Sequence, residues 1–100
     1  MIEALFIGGS QQGKLVALQR AFKSHTVLHS KWIHSLPRRE TYIRNDRNFH
    51  DYVYILRGLK EAERDRLHAE AIQHLERSTQ LALYSPQGDL IRVAVGARPW

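Results

Sequence analysis

Between residues 6 and 15 the chain reads FIGGSQQGKL. From Gly8 to Lys14, a glycine, four residues, a second glycine and a lysine stand at the spacing of a phosphate-cradling loop. Nucleotide chemistry at such a loop needs more than glycines and a lysine. A Ser or Thr must follow the lysine to hold magnesium, a helix must begin there, and an apolar strand ending in Asp must supply a second metal contact. Position 15 is Leu, and neither YVYILRG nor LIRVAVG ends in an acid. The sequence therefore favours a conformational role for Gly8, Gly9 and Gly13, as residues that let the chain turn tightly between two strands.

His25, His29 and His34 invite a metal site. If they lie on a strand, His25 and His29 share a face but stand about 13 Å apart, too far for one zinc ion; a helix would bring them together. No third ligand follows at a telling distance, so no metal and no cofactor is expected. Acidic pairs occur only in the charged run around Glu61, Glu63 and Asp65, where solvation and ion pairing explain them better than acid-base catalysis. The chain is expected not to be an enzyme.

A third set of residues suits binding. Arg38, Arg39, Tyr42, Arg44, Arg47, Phe49, Tyr52 and Tyr54 interleave cations with rings across two strand-like segments. Single-stranded nucleic acid is held by this combination, because cations track phosphate while rings stack on bases. The candidate binding set is Lys14, Arg38, Arg39, Tyr42, Arg44, Arg47 and Tyr52. The same tyrosines read equally well as rings filling a sheet core, with the arginines keeping the other face soluble.

Charge placement agrees with an anionic partner. The net charge is +5, and residues 14 to 47 carry Lys14, Arg20, Lys23, Lys31, Arg38, Arg39, Arg44 and Arg47 against only Glu40 and Asp46. With 100 residues, 43% apolar and 25% charged, the chain has the composition of one ordinary globular domain, long enough to bury roughly 65% of its unfolded surface. The absence of cysteine excludes disulfides, thiol catalysis and iron-sulfur clusters, and suits a reducing cytoplasm. MIEALFI lacks the basic flank of a secretion signal, and no window is apolar enough for a membrane-spanning helix.

The elements that must position these residues follow from periodicity. IEALFI reads as a buried strand, and KLVAL, whose Leu15, Leu18 and Phe22 also fit a helical stripe, is read as its hairpin partner. HTVLH suggests a third strand, SKWIHSLP a connection pinned by Trp32 and Ile33, and ETYIR and DYVYILR two further strands around the loop NDRNFH. LKEAERDRLHAEAIQHLER contains no Gly or Pro, pairs Glu61 with Arg64, Glu63 with Arg66 and Arg66 with Glu70, and gathers Leu67, Ala71, Ile72 and Leu75 on one side. It reads as a surface helix. LALYSPQGDLIRVAV is a β-hairpin whose turn is built on Pro86 and Gly88. The expected fold is α+β: N-terminal strands over about 2–57, a long helix over 59–77 on one face of a mostly antiparallel sheet, a hairpin over 80–95, and a tail 96–100 ending in Trp100.

The segment ALFIGGSQQGKLVAL, followed by TYIR, FHDYVYIL and a helix, resembles small bacteriophage and prophage proteins that open with a strand, a Gly-Gly-Pro-x-Asp-Gly turn and a second strand. Gly8, Gly9 and Gly13 match that turn, Ser10 and Gln12 replace its proline and aspartate, and Tyr42, Arg44, Tyr52 and Tyr54 match the later elements. The resemblance implies a mobile-element origin and a bacterial cytoplasmic setting, and brings no catalytic residue. The expectation is a non-catalytic accessory protein that binds a macromolecule, either a host or phage protein whose machinery it modulates, or nucleic acid at the basic 14–57 region.

Overall fold

A computed structural model of the chain describes residues 2–29, 38–45, 52–78 and 80–95. Among these residues seven strands form one sheet: β1 (Ile2–Ile7), β2 (Leu15–Leu18), β3 (Ser24–His29), β4 (Arg38–Arg44), β5 (Val53–Leu56), β6 (Gln80–Tyr84) and β7 (Leu90–Val95). One helix, α1 (Glu61–Arg77), joins β5 to β6, and a short 3-10 turn occupies Gly9–Gln11 between β1 and β2. The fold is α+β, as the periodicity indicated. Arg47, Phe49, His34, His50, Trp32, Ile33 and the tail with Trp100 lie outside the described residues.

The strand order is β3-β4-β5-β1-β2-β6-β7. Pairing is antiparallel for β1–β2, β3–β4, β4–β5 and β6–β7. Two pairings are parallel: Leu5 stands opposite Val53 between β1 and β5, and Leu15 opposite Leu83 between β2 and β6. Helix α1 makes this arrangement, because it carries the chain across the β1–β2 pair from β5 on one flank to β6 on the other.

Alternation then sorts the side chains into two cores. Leu5, Ile7, Leu15, Ala17, Val53 and Leu83 point to one face and pack against Ala71 and Leu75, with Leu67 and Ile72 alongside. These are the four helix positions singled out from the sequence. The helix has acids Glu61 and Glu63 in its first turn and His74 and Arg77 in its last, matching the polarity of its dipole. Exposed pairs Arg66–Glu70 at 3.2 Å and Arg64–Glu61 at 3.9 Å lace its outer side.

The opposite face buries Ala4, Phe6, Val16, Leu18, Val27, Tyr42 and Tyr54, with no helix over it among the described residues. Curvature supplies the cover. The ring of Phe6 lies 4.6 Å from that of Tyr42, 5.3 Å from Tyr54 and 5.7 Å from His25, centroid to centroid. The turn after β6 reaches strand β3, at the far end of the strand order: His25 Nε2 stands 2.8 Å from the Pro86 carbonyl, and the Leu28 amide donates to Gln87 Oε1 at 3.4 Å. The sheet thus curls round an aromatic interior, and His25 is a packing residue in it. Among the described residues no His, Cys, Asp or Glu cluster could hold a metal ion.

Candidate nucleic-acid interface

The glycine turn shows what occupies a phosphate-type loop in this chain. Three of its backbone donors are taken by the protein's own side chains, and those of Gln12, Gly13 and Lys14 by backbone carbonyls. The Gly8 amide donates to Gln12 Oε1 at 2.5 Å, the Ser10 amide to Glu40 Oε2 at 3.0 Å, and the Gln11 amide to the Tyr42 hydroxyl at 3.2 Å. Ser10 Oγ adds a 2.5 Å bond to Glu40 Oε1, and the Tyr42 hydroxyl donates back to the Gly8 carbonyl at 2.8 Å. An anion does sit at the turn: it is the carboxylate of Glu40. Gly9 has φ +61°, and a Cβ there would collide with that carboxylate and stand 2.8 Å from the Tyr42 hydroxyl. The glycine is required by the conformation and by the approach of β4. Gln12 Nε2 ties the turn to α1 through the Leu67 carbonyl at 2.8 Å. Pro86 and Gly88 shape the other turn as expected, where the Gly88 amide bonds to the Ser85 carbonyl at 2.9 Å and the Gly88 backbone abuts Gln11.

Burial governs the titration of the tyrosines. Loss of water pushes the Tyr42 hydroxyl up to about 12, with the Glu40 charge acting in the same direction and the Gln11 and Ser10 bonds opposing it. Tyr54 is also raised, first by burial and then by Tyr52, against the Arg44 charge.

The proposed binding set is redistributed by the fold. Tyr42 is 0% exposed, so it cannot stack on a base; alternation on β4 turns it inward, and its hydroxyl fastens the glycine turn. Tyr54 is equally closed off. Lys14 lies at the glycine-turn end of the sheet, its ammonium 4.6 Å from the Tyr84 ring centroid in a cleft of about 260 Å³ beside the C-terminus of α1. Arg39 is exposed on β4, on the face opposite Tyr42. Only the backbone of Arg38 is described, and Arg47 falls outside the described residues.

Arg44 and Tyr52 do come together, and they do so with residues outside the expected binding set. The Arg44 guanidinium lies 5.5 Å from the Tyr52 ring centroid, and the Arg44 amide bonds to the Lys23 carbonyl at 2.9 Å. Arg20 lies 4.8 Å from the ring of Phe22, whose carbonyl accepts the Tyr54 hydroxyl. Arg20, Phe22, Lys23, Arg44 and Tyr52 therefore gather where the β2–β3 connection meets the ends of β4 and β5. Arg20, Lys23 and Phe22 are exposed, the last at 37%, while Arg44 and Tyr52 are half-buried. Arg44 Nε is buried with no hydrogen-bond partner among the described residues. Three cations beside two rings form a surface that can pair with phosphate and stack on a base.

A scan against protein-family models finds no match. Searches of curated proteins and of solved structures likewise find no significant similarity.

Proposed function

We propose that this chain is a non-catalytic binding protein whose macromolecular ligand is single-stranded nucleic acid, engaged at Arg20, Phe22, Lys23, Arg44 and Tyr52. The observation that carries the reading is the cluster itself: two cation-ring pairs and a further exposed lysine at one end of the sheet. The exposed Arg20 and Lys23 can meet phosphate oxygens, and Phe22 offers a ring face to a base. The net charge of +5 adds a long-range attraction for polyanions. The resemblance to phage and prophage proteins supports an accessory role in the bacterial cytoplasm, where the ligand would be a transcript or a replication intermediate.

The test is fluorescence anisotropy with labelled single-stranded DNA and RNA across a salt series. Three phosphate contacts give a log-log salt slope of about −2, at roughly 0.7 per contact on single strands. Arg20→Ala and Lys23→Ala, both at exposed positions, should each flatten the slope by about 0.7. Absence of binding to either strand at about 50 mM salt would remove the proposal.

A further inference from the structure

Strand β7 closes one end of the sheet, with β6 on its inner side and no described strand on its outer side. Unpaired strand edges template further pairing unless charge, proline or covering structure blocks them. The two edges of this sheet differ in that respect. The β3 edge is polar at Ser24, His25 and Thr26 and exposes Leu28 at 54%, but the turn after β6 covers part of it through Pro86 and Gln87, which accepts from the Leu28 amide. The β7 edge reads LIRVAV and exposes Leu90 at 59%, Ile91 at 53% and Val93 at 50%. Its one charge, Arg92, is held by Glu3 of the same chain at 3.3 Å.

We infer that a second copy of this chain occupies the β7 edge, pairing β7 with β7 antiparallel about a two-fold axis at Val93. This goes beyond the nucleic-acid reading and does not depend on it. Its support is the self-complementarity of the strand. Centred on Val93, the register sets Val93 opposite Val93 and Arg92 opposite Ala94, so no arginine faces its symmetry mate. Centring on Arg92 would set the two arginines directly opposite each other, and a slip of a single residue would turn the apolar positions to the wrong face. The irregularity in β7 leaves Ile91 without a partner on β6, between Leu90 opposite Tyr84 and Arg92 opposite Leu83, so the symmetric pairing is carried from Arg92 onward, about Val93. Val93 stands opposite Ala82, on the concave side of the sheet, so the junction joins the two concave faces and sets both helices on the same side.

Cysteine cross-linking reads the register directly, because the chain has no native cysteine. Residues directly opposite in an antiparallel pair have Cα atoms about 4.5–5.5 Å apart, within the range a disulfide spans. Val93→Cys should form a disulfide-linked dimer under mild oxidation, at least tenfold faster than Leu28→Cys on the other edge. Sedimentation of the unmodified chain should show the 11.6 kDa species giving way to one of twice that mass as concentration rises. Val93→Lys, which sets two ammonium groups on the axis, should remain at the lower mass. Failure of Val93→Lys to fold would leave the cross-link and the unmodified chain to decide. A single 11.6 kDa species at every concentration, or equal cross-linking of both cysteine variants, overturns the inference. So does a monomer whose β7 amides resist hydrogen exchange, since another segment would then cover the edge.

Discussion

Replacing Tyr42 by Phe isolates the joint between β4 and the glycine turn. The ring stays, with its centroid 4.6 Å from that of Phe6, so packing is conserved. What is lost is one oxygen that donates to the Gly8 carbonyl at 2.8 Å and accepts from the Gln11 amide at 3.2 Å. Both backbone groups would remain buried beneath β4 without that partner, and a buried group left unsatisfied costs about 1–3 kcal/mol. Partial rescue by water at the half-open turn sets the expected loss at about 2–4 kcal/mol. Urea denaturation should show it as a lower midpoint at an unchanged slope.

The same substitution carries a pH signature. The hydroxyl is raised to about 12 in the folded chain, so between its ordinary value near 10 and that point the unfolded chain ionises while the folded chain does not. The unfolded state then binds fewer protons, and stability falls as pH rises, by up to about 1.4 kcal/mol per unit for this group. Tyr42→Phe lacks that contribution. The stability gap between the two proteins should narrow from pH 10 upward and be constant below pH 9. A loss under about 0.5 kcal/mol, or a gap that does not narrow, would refute the placement of this hydroxyl.

Three further outcomes follow from the same geometry. Gly9→Ala should destabilise by at least about 1–2 kcal/mol in urea unfolding, since φ +61° disfavours a side chain and the new Cβ displaces the Glu40 carboxylate. Leu75→Ala, which empties the contact between α1 and the sheet, should cost about 2–5 kcal/mol by the same assay, whereas Arg92→Ala at its exposed ion pair should cost no more than about 1. Magnesium with ATP or GTP should give no saturable heat in calorimetric titration, because the turn's donors are already engaged by Glu40, Gln12 and Tyr42.

Local patterns made much of this fold readable. Helix α1 announces itself by a run free of Gly and Pro with Leu67, Ala71, Ile72 and Leu75 at helical spacing, and the β6–β7 hairpin by Pro86 and Gly88 between alternating segments. The parallel pairings β1–β5 and β2–β6 were not readable, because they depend on where the chain returns after long excursions rather than on any local period. On β4 the alternation places Arg39 and Ile43 on one face and Glu40, Tyr42 and Arg44 on the other, so both faces mix polar and apolar residues and the sequence does not say which is inside. That is why Tyr42 could be read as a surface ring. Arg20 and Lys23 were visible as charge within a basic stretch, but their pairing with Phe22 and Arg44 arises only when the β2–β3 connection closes onto the end of β4.

The glycine turn is closed by the chain's own groups, and the proposed anionic strand is assigned to the opposite, basic end of the sheet. Titrating a short single-stranded oligonucleotide into isotopically labelled protein, and following backbone amide shifts by NMR, separates the two sites in one experiment. Shifts should concentrate at residues 19–23, 44–45 and 52, with Gly8, Ser10 and Gln11 unmoved. Shifts concentrated at residues 8–14, or none at either end, would contradict that assignment.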